Sequence, residues 1–205
     1  MEKSAIILAG GLASRVGQDK GLLQLCGKSL IEHVLCRVRD LVDQTFIVLS
    51  SQSQADKYSR FTDGKTQVII DRAKIRGPLA GAATGFSESS ATYSLLLPCD
   101  APFVSSEILA LLFELCIGKN AVIPRWPNCY IEPLHAVYRT ESGRIAAENA
   151  LLHENCKMQS MVDGLRNIRY VSTLVLEQLD PKLLTFFNVN TMLDLKKAET
   201  ICKSR

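Results

Sequence analysis

The sequence predicts an α/β protein with a mostly parallel central sheet and helices on both faces. Short apolar runs of strand length alternate with segments of helical periodicity, which is the order typical of parallel sheets. Several of these runs end at glycine, serine or aspartate, so polar groups follow the predicted strands. The 205 residues are 47% hydrophobic and 22% charged, which are ordinary proportions for one globular domain.

Four strands are predicted in the first half of the chain. They are the apolar runs Ala5–Ala9, Phe46–Leu49, Val68–Ile70 and Tyr93–Leu97. The predicted helices between and after them run from about Ser29 to Val42, from Gln52 to Ser59, from Pro78, and from a cap at Ser105 or Ser106. Ser29 and Glu32 fit a capping box, and Pro78 suits the first position of a helix.

The second half is less regular. Its predicted strands are Ala121–Ile123, Leu134–Tyr138 and Ile168–Val171, and an extended segment covers Phe186–Asn190. Its predicted helices are Glu141 to about His153 after a Thr140 cap, Gln159–Leu165, a weak one at Leu174–Leu184, and a last one from a Thr191 cap to about Cys202. We expect residues 124 to 187 to form a smaller lobe on the same core.

Composition argues against several classes of protein. The net charge of +3, without a cationic run, does not favour a nucleic-acid partner. No apolar run approaches the length of a membrane span, and the N-terminus lacks the pattern of a signal peptide. The seven cysteines are scattered and form no C-x-x-C pair, which argues against a zinc ribbon and favours a reducing, cytoplasmic location.

The stretch from Ser4 to Gly21 carries the first functional signal. An apolar strand runs into Gly10-Gly11, and the following loop holds Arg15 and Lys20. Glycine lets backbone N–H groups approach an anion closely, and the two cations add positive charge, so we expect a nucleoside triphosphate here. Neither G-x-x-x-x-G-K-[ST] nor G-x-G-x-x-G fits. An ordinary loop with two solvated cations remains an equal alternative on this pattern alone.

Polar residues follow each of the first four strands. Gly10, Ser50, Asp71 and Asp100 hold these positions, and ligands of open α/β sheets bind at the carboxyl ends of strands. Asp100 is the candidate Mg²⁺ ligand, because Mg²⁺ prefers one or two carboxylates together with phosphate oxygens. The alternative is a carboxylate that caps the turn before Pro102. For Asp71 alone, the turn residue is the preferred interpretation.

Several motifs resemble the nucleotidyltransferases. They are Leu8-Ala9-Gly10-Gly11 with Arg15, Gly17 and Asp19-Lys20-Gly21, then Gly77-Pro78-Leu79-Ala80-Gly81, and Pro98-Cys99-Asp100-Ala101-Pro102. The segment Asp19-Lys20-Gly21-Leu22-Leu23 most resembles the molybdenum cofactor guanylyltransferases. Just before it, Val16 stands where that family usually has methionine. The resemblance implies their Rossmann-like nucleotide-diphospho-sugar transferase fold.

The resemblance also implies which residues act. Arg15, Lys20 and Asp100 would be catalytic, and Asp100 would bind Mg²⁺. The nucleotide would contact Leu8, Ala9, Gly10, Gly11, Lys20, Ser50, Asp71, Gly77, Pro78, Leu79, Asp100, Asn188 and Asn190. The segment Asn188-Val189-Asn190-Thr191 resembles a family motif near the metal and the acceptor, and capping of the last helix is an equal alternative.

The acceptor side carries a weaker signal. Glu132-Pro133-Leu134-His135 resembles a family segment that usually begins with Gln-Pro or His-Pro, so Glu132 is a departure. His135 lies in an otherwise apolar strand, where a structural role is the more common one.

The activity implied is transfer of GMP from GTP to the phosphate of Mo-molybdopterin, with release of pyrophosphate. The single domain, 1–205, would comprise a GTP-binding core at about 1–123, an acceptor-side lobe at about 124–187 and a C-terminal helix at 191–204. Transient contact with molybdoenzymes or molybdopterin-insertion proteins is also expected. The alternatives are a CTP-dependent sibling, GMP transfer to another phosphorylated acceptor, a sugar-phosphate nucleotidyltransferase, and a non-catalytic GTP-binding regulator.

Overall fold

The computed structural model describes residues 2–10, 19–71, 73 and 76–204. Within them, helices cover both faces of a seven-stranded sheet, and a two-stranded hairpin lies apart from it. The strands are β1 (Lys3–Leu8), β2 (Gln24–Leu25), β3 (Lys28–Ser29), β4 (Gln44–Leu49), β5 (Thr66–Ile70), β6 (Tyr93–Pro98), β7 (Ala121–Arg125), β8 (Ala136–Arg139) and β9 (Ile168–Ser172). The helices are α1 (Leu30–Val38), α2 (Gln52–Tyr58), α3 (Pro78–Glu88), α4 (Ser106–Leu115), α5 (Thr140–Leu152), α6 (Met158–Asp163), α7 (Thr173–Leu176) and α8 (Met192–Lys203). The predicted α/β class is confirmed.

The order of strands in the large sheet is β5-β4-β1-β6-β8-β7-β9. The first four run parallel to one another, and Leu8 of β1 lies opposite Val48 of β4 and Pro98 of β6. Parallel neighbours end at the same edge of a sheet. The segments that follow β1, β4, β5 and β6 therefore meet at one edge, where α/β proteins bind ligands.

β1 shows why these strands are continuous apolar runs. Ala5 and Ile7 pack in the apolar cluster that contains residues of α1 and α4. Ile6 lies in the cluster on the opposite face, with residues of α3 and α5. Successive side chains of a strand point to opposite faces, so a strand covered by helices on both sides must be apolar at every position.

The second half of the chain contributes strands to the same sheet. β8 lies between β6 and β7 and runs antiparallel to both, and β9 pairs parallel to β7 at the sheet edge. The sheet is thus mostly, but not wholly, parallel. A functional boundary near residue 123 stays a prediction.

A third apolar cluster fastens α8 to the hairpin. Leu25 and Leu30 pack there with Phe103, Val189 and Leu195. Thr191 caps α8 as predicted, since its hydroxyl accepts from the Asp194 N–H at 3.2 Å. This packing holds the segment before α8 beside the end of β6. None of the helices in the described residues has the length and apolar character needed to cross a membrane.

Several predicted boundaries differ from the structure, and β8, for example, begins at Ala136 instead of Leu134, so His135 precedes the strand. α1 ends at Val38 instead of Val42, and a turn closed by a hydrogen bond from Leu41 N–H to the Val38 carbonyl follows it. Thr140 begins α5 and does not cap it, because its hydroxyl lies 2.8 Å from that of buried Ser94. The weak helix predicted at 174–184 is reduced to α7 and a following turn, and Leu183 adopts a left-handed φ of 46°.

Candidate active site

A cavity of about 500 Å³ opens at the carboxyl edge of the parallel strands. The ends of β1, β4 and β6, Asp71 just after β5, and the start of α3 all border it. Eight of the residues predicted for the site line this cavity: Leu8, Gly10, Lys20, Ser50, Asp71, Gly77, Pro78 and Asp100. The chain topology thus brings together residues that are up to 92 positions apart, counted from Leu8 to Asp100.

Lys20 and Asp100 form the centre of the site. The Lys20 ammonium makes an ion pair with the Asp100 carboxylate and donates to Asn190 Oδ1 at 2.6 Å. Asp100 follows β6, and its carbonyl accepts from the Val189 N–H at 2.8 Å, which holds the 188–190 segment in place. The side chains of Lys20 and Asp100 are 18% and 9% exposed, so the pair is largely withdrawn from water.

Asp100 and Asn188 each carry a buried oxygen without a partner among the described residues, and of the two only Asp100 lines the cavity. These atoms are Asp100 Oδ1 and Asn188 Oδ1. A carboxylate oxygen and an amide oxygen are ligands that a hard cation such as Mg²⁺ accepts. No group of three or more His, Cys, Asp or Glu side chains gathers as a metal site in the described part of the chain. A cation here would therefore need oxygens from a bound substrate or water, which is the usual situation for Mg²⁺.

The far side of the cavity carries both signs of charge. Asp71 Oδ1 accepts from Ala73 N–H at 2.9 Å and from the Thr84 hydroxyl at 3.1 Å. Arg76 lines the cavity and donates to the Ser50 carbonyl at 3.1 Å. Arg76 was not among the residues predicted from the sequence. Its position directly before Gly77 was the available signal, since a cation beside a glycine turn is a common anion-binding arrangement.

Other predicted residues lie beside the cavity or outside the described part. Ala9 is buried and donates to the Val48 carbonyl at 2.9 Å, while Leu79 points into the core between α3 and the sheet. These two residues support the cavity wall without lining it. Gly11 and Arg15 lie outside the described residues, so their predicted roles stay predictions.

The acceptor-side candidates lie in a more buried environment. Glu132 Oε1 accepts from the Trp126 indole N–H at 2.7 Å, and burial raises the pKa of Glu132. His135 is 1% exposed and its ring packs edge to face on Phe186, with centroids 5.4 Å apart. Burial lowers the pKa of His135 to about 4, so its ring is neutral near pH 7. His135 does not line the cavity.

Comparison with known proteins identifies the family. The sequence model of the MobA-like NTP transferase domain matches residues 5–168. A probable molybdenum cofactor guanylyltransferase of Methanosarcina acetivorans is 34% identical over 95% of this chain and 88% of its own length. A protein of the same description from Pyrococcus horikoshii is 33% identical over 95% of this chain and 98% of its own.

Solved structures agree with this assignment. The crystal structure of molybdopterin-guanine dinucleotide biosynthesis protein A from Archaeoglobus fulgidus has a TM-score of 0.84 and 34% identity, and covers 99% of this chain and 100% of its own. A Mycobacterium tuberculosis protein solved with manganese shares the fold, with a TM-score of 0.67, 16% identity, and coverage of 97% and 98%. The family resemblance predicted from the sequence motifs is confirmed, and the chain belongs to the MobA-like NTP transferases.

Proposed function

We propose that this protein is a GTP-dependent nucleotidyltransferase that transfers GMP to the phosphate of Mo-molybdopterin, forming molybdopterin-guanine dinucleotide and releasing pyrophosphate. The observation that carries the proposal is the pairing of Lys20 and Asp100 inside a cavity at the carboxyl edge of the sheet. The relatives named as molybdenum cofactor guanylyltransferases support this choice of donor and acceptor.

The chain's own residues would act by charge and position. Lys20 offsets negative charge on the triphosphate as the acceptor phosphate attacks the α-phosphorus. The largely buried setting of Lys20 strengthens this effect, since water screens it less. The attacking group belongs to the acceptor, so no side chain needs to form a covalent intermediate. Holding both phosphates in line replaces an encounter in solution with a reaction between fixed partners.

The residues that would hold Mg²⁺ are Asp100 and Asn188. Their buried, unpartnered oxygens fit a cation that also binds phosphate oxygens. When bound, the metal would act as a Lewis acid at the phosphates and neutralise the leaving pyrophosphate. Asp100 would then serve the metal, and the Lys20 ammonium would be available to the phosphate oxygens.

The guanosine would lie along the wall formed by Asp71 and the first turn of α3. Gly77 and Pro78 line the cavity there, and the amides of a first helical turn have no partner within the helix. Such donors, together with the Asp71 carboxylate, match the mixed acceptor and donor edge of guanine. A pyrimidine would fill less of this space.

The acceptor would enter from the side of residues 124–187, with about 1–123 forming the GTP-binding core. Leu134 lines the cavity on that side. We place the reaction in the cytoplasm, since the seven cysteines are scattered along the sequence and form no C-x-x-C pair. Product transfer would involve transient contact with molybdoenzymes or molybdopterin-insertion proteins.

Pyrophosphate release tests the proposal directly. The purified protein is incubated with each of the four nucleoside triphosphates and Mg²⁺, with and without a molybdopterin source, and the product mass is measured. We expect release only with GTP and the acceptor, and its loss on addition of EDTA. Release with CTP instead would establish a cytidylyltransferase. Tight GTP binding without release for any phosphorylated acceptor would establish a non-catalytic regulator.

A further inference from the structure

Asp19 is a buried carboxylate that the proposed reaction does not use. It precedes Lys20 in the chain and is only 5% exposed, and it forms no ion pair with the described cations. Its Oδ1 accepts from the Tyr58 hydroxyl at 2.5 Å and from the Gly21 N–H at 3.3 Å. Its Oδ2 accepts from Gln54 Nε2 at 2.6 Å. Three donors thus replace water around a charge that would otherwise be costly to bury.

Gln54 continues this network to the edge of the sheet. Its Oε1 accepts from the Ser50 N–H at 3.1 Å, so its amide nitrogen must point to Asp19. The Ser50 hydroxyl lies 2.8 Å from Gln54 Oε1 and 2.9 Å from the Gly10 carbonyl, and its single proton bonds one of them at a time. The turn that carries Lys20 is therefore tied to the ends of β4 and β1.

Tyr58 packs directly against the same turn, at Gly21. It is fully buried, and a Cβ added at Gly21 would lie 2.3 Å from its hydroxyl oxygen. Burial raises the pKa of Tyr58, so the phenol keeps its proton and remains a donor to Asp19. Because Tyr58 and Gln54 both belong to α2, which packs on β4 and β5, the turn is held by a helix that is itself packed on the sheet.

We propose that Asp19, Gln54 and Tyr58 form a positioning site that holds the Lys20 turn against the sheet and so places the Lys20 ammonium at Asp100. A lysine side chain has many rotamers, so its location depends on where its backbone is held. Displacement of a catalytic group by about 1 Å is enough to slow a reaction ~10²-fold. The activity readout of this inference rests on the proposed function.

The hydrogen bond between Asp19 and Gln54 allows a reversal of polarity. In Asp19→Asn, the new amide group faces the amide group of Gln54. In Gln54→Glu, the new carboxylate faces the carboxylate of Asp19. The hydrogen bond between the two side chains is lost in both single variants. In the double variant D19N/Q54E, the amide introduced at position 19 donates to the carboxylate introduced at position 54. The new amide oxygen still accepts from Tyr58 and Gly21, and the second oxygen of the new carboxylate still accepts from Ser50. The buried charge is kept, but it moves from one residue to the other.

Steady-state pyrophosphate release is measured for the four proteins. We expect kcat to fall about 10- to 100-fold in each single variant and to return to within about threefold of the wild type in D19N/Q54E. KM for GTP should change much less than kcat, because the phosphates still meet a cation that is merely misplaced. A double variant as slow as D19N would overturn the inference, since Asp19 would then act through its own charge.

A second readout does not depend on activity. Reductive methylation with ¹³C-formaldehyde labels the lysines, and the Lys20 signal is assigned by its loss in Lys20→Arg. We expect this signal to be shifted from those of exposed lysines in the wild type, to move toward them in D19N, and to return in D19N/Q54E. If the wild type released no pyrophosphate, the proposed function would fail, while these spectra would still decide the inference. A Lys20 signal unchanged in D19N would overturn it.

The same helix offers a matched control. Gln52 Nε2 donates to Asp56 Oδ1 at 3.0 Å on the exposed face of α2. The same exchange of amide and carboxylate groups is made away from the cavity in Q52E, D56N and the double variant. In each of them kcat should stay within about twofold of the wild type. If D19N does not fold, Tyr58→Phe removes a single donor and keeps the ring. A severalfold lower kcat in Tyr58→Phe supports the inference, and an unchanged kcat contradicts it.

Discussion

At the scale of single residues, the proposed chemistry depends on Lys20 and Asp100 and on the residues that bury them. An ion pair withdrawn from water is maintained only when further hydrogen bonds offset the desolvation, and Asn190 supplies one to Lys20. The remaining Asp100 oxygen has no partner in the described residues, so the pair keeps a free ligand atom. That oxygen would be available to a metal ion that also binds nucleotide phosphates.

Removal of the Lys20 charge tests this arrangement. We expect Lys20→Ala to slow pyrophosphate release by ~10²-fold or more, because a cation in a site of low polarity stabilises developing phosphate charge strongly. Lys20→Arg should recover only part of the rate, since a planar guanidinium does not occupy the position of a compact ammonium.

The control for this prediction is Lys196→Ala, which removes the same charge from the exposed face of α8. Its rate should equal that of the wild type. A Lys20→Ala protein with a rate within about twofold of the wild type would show that the Lys20 charge does not contribute to the reaction.

At the scale of elements, the hairpin of β2 and β3 is the clearest case that sequence reasoning missed. Its two-residue turn is Cys26-Gly27, with φ of 48° and 81°. Turns of this kind need positive φ at both residues and usually carry Asn-Gly or Asp-Gly. Cysteine in the first position does not predict such a turn, although Gly27 in the second position is compatible with it.

The Gly27 position allows a stability test of this turn. A Cβ added at Gly27 would meet no atom within 4 Å, so any cost of Gly27→Ala arises from its positive φ alone. We expect a loss of about 1–2 kcal/mol in the free energy of unfolding, measured by urea denaturation.

Gly64→Ala is the matched control, because its added Cβ also meets nothing and its φ lies outside the left-handed region. It should be neutral or slightly stabilising. Equal effects of the two substitutions would mean that the conformation of the Cys26-Gly27 turn does not limit stability.

At the scale of the whole molecule, burial of an ionisable side chain determines whether its titration changes the stability of the fold. His135 lies in the interior, and the described residues give its ring nitrogens no hydrogen-bond partner. Burial lowers its pKa from 6.5 to about 4, so the unfolded chain takes up a proton at a higher pH than the folded one. Stability from this group is therefore present above pH 6.5 and lost as the pH falls toward 4.

The variant His135→Leu should remove this dependence. Between pH 7 and pH 4 we expect the wild type to lose about 3 kcal/mol more in the free energy of unfolding than the variant does. Glu132 Oε2 lies 3.8 Å from His135 Nδ1, and burial raises the pKa of Glu132, so this neighbouring carboxyl group contributes a slope of opposite sign in both proteins.

Urea denaturation at several pH values measures the effect of His135→Leu. Parallel profiles for His135→Leu and the wild type would contradict a neutral, buried imidazole.

The parallel half of the sheet could be predicted from the sequence, and so could the sheet edge at which the candidate site residues meet. Continuous apolar runs occur only where both faces of a strand are covered, and parallel topology then brings Gly10, Ser50 and Asp100 to one edge. The tertiary structure alone decided that β8 inserts antiparallel beside β6, and that Gln54 and Tyr58 hold Asp19 from 35 and 39 residues away. The physical reason is that local periodicity encodes how a segment is buried, whereas such contacts arise only when distant segments pack together.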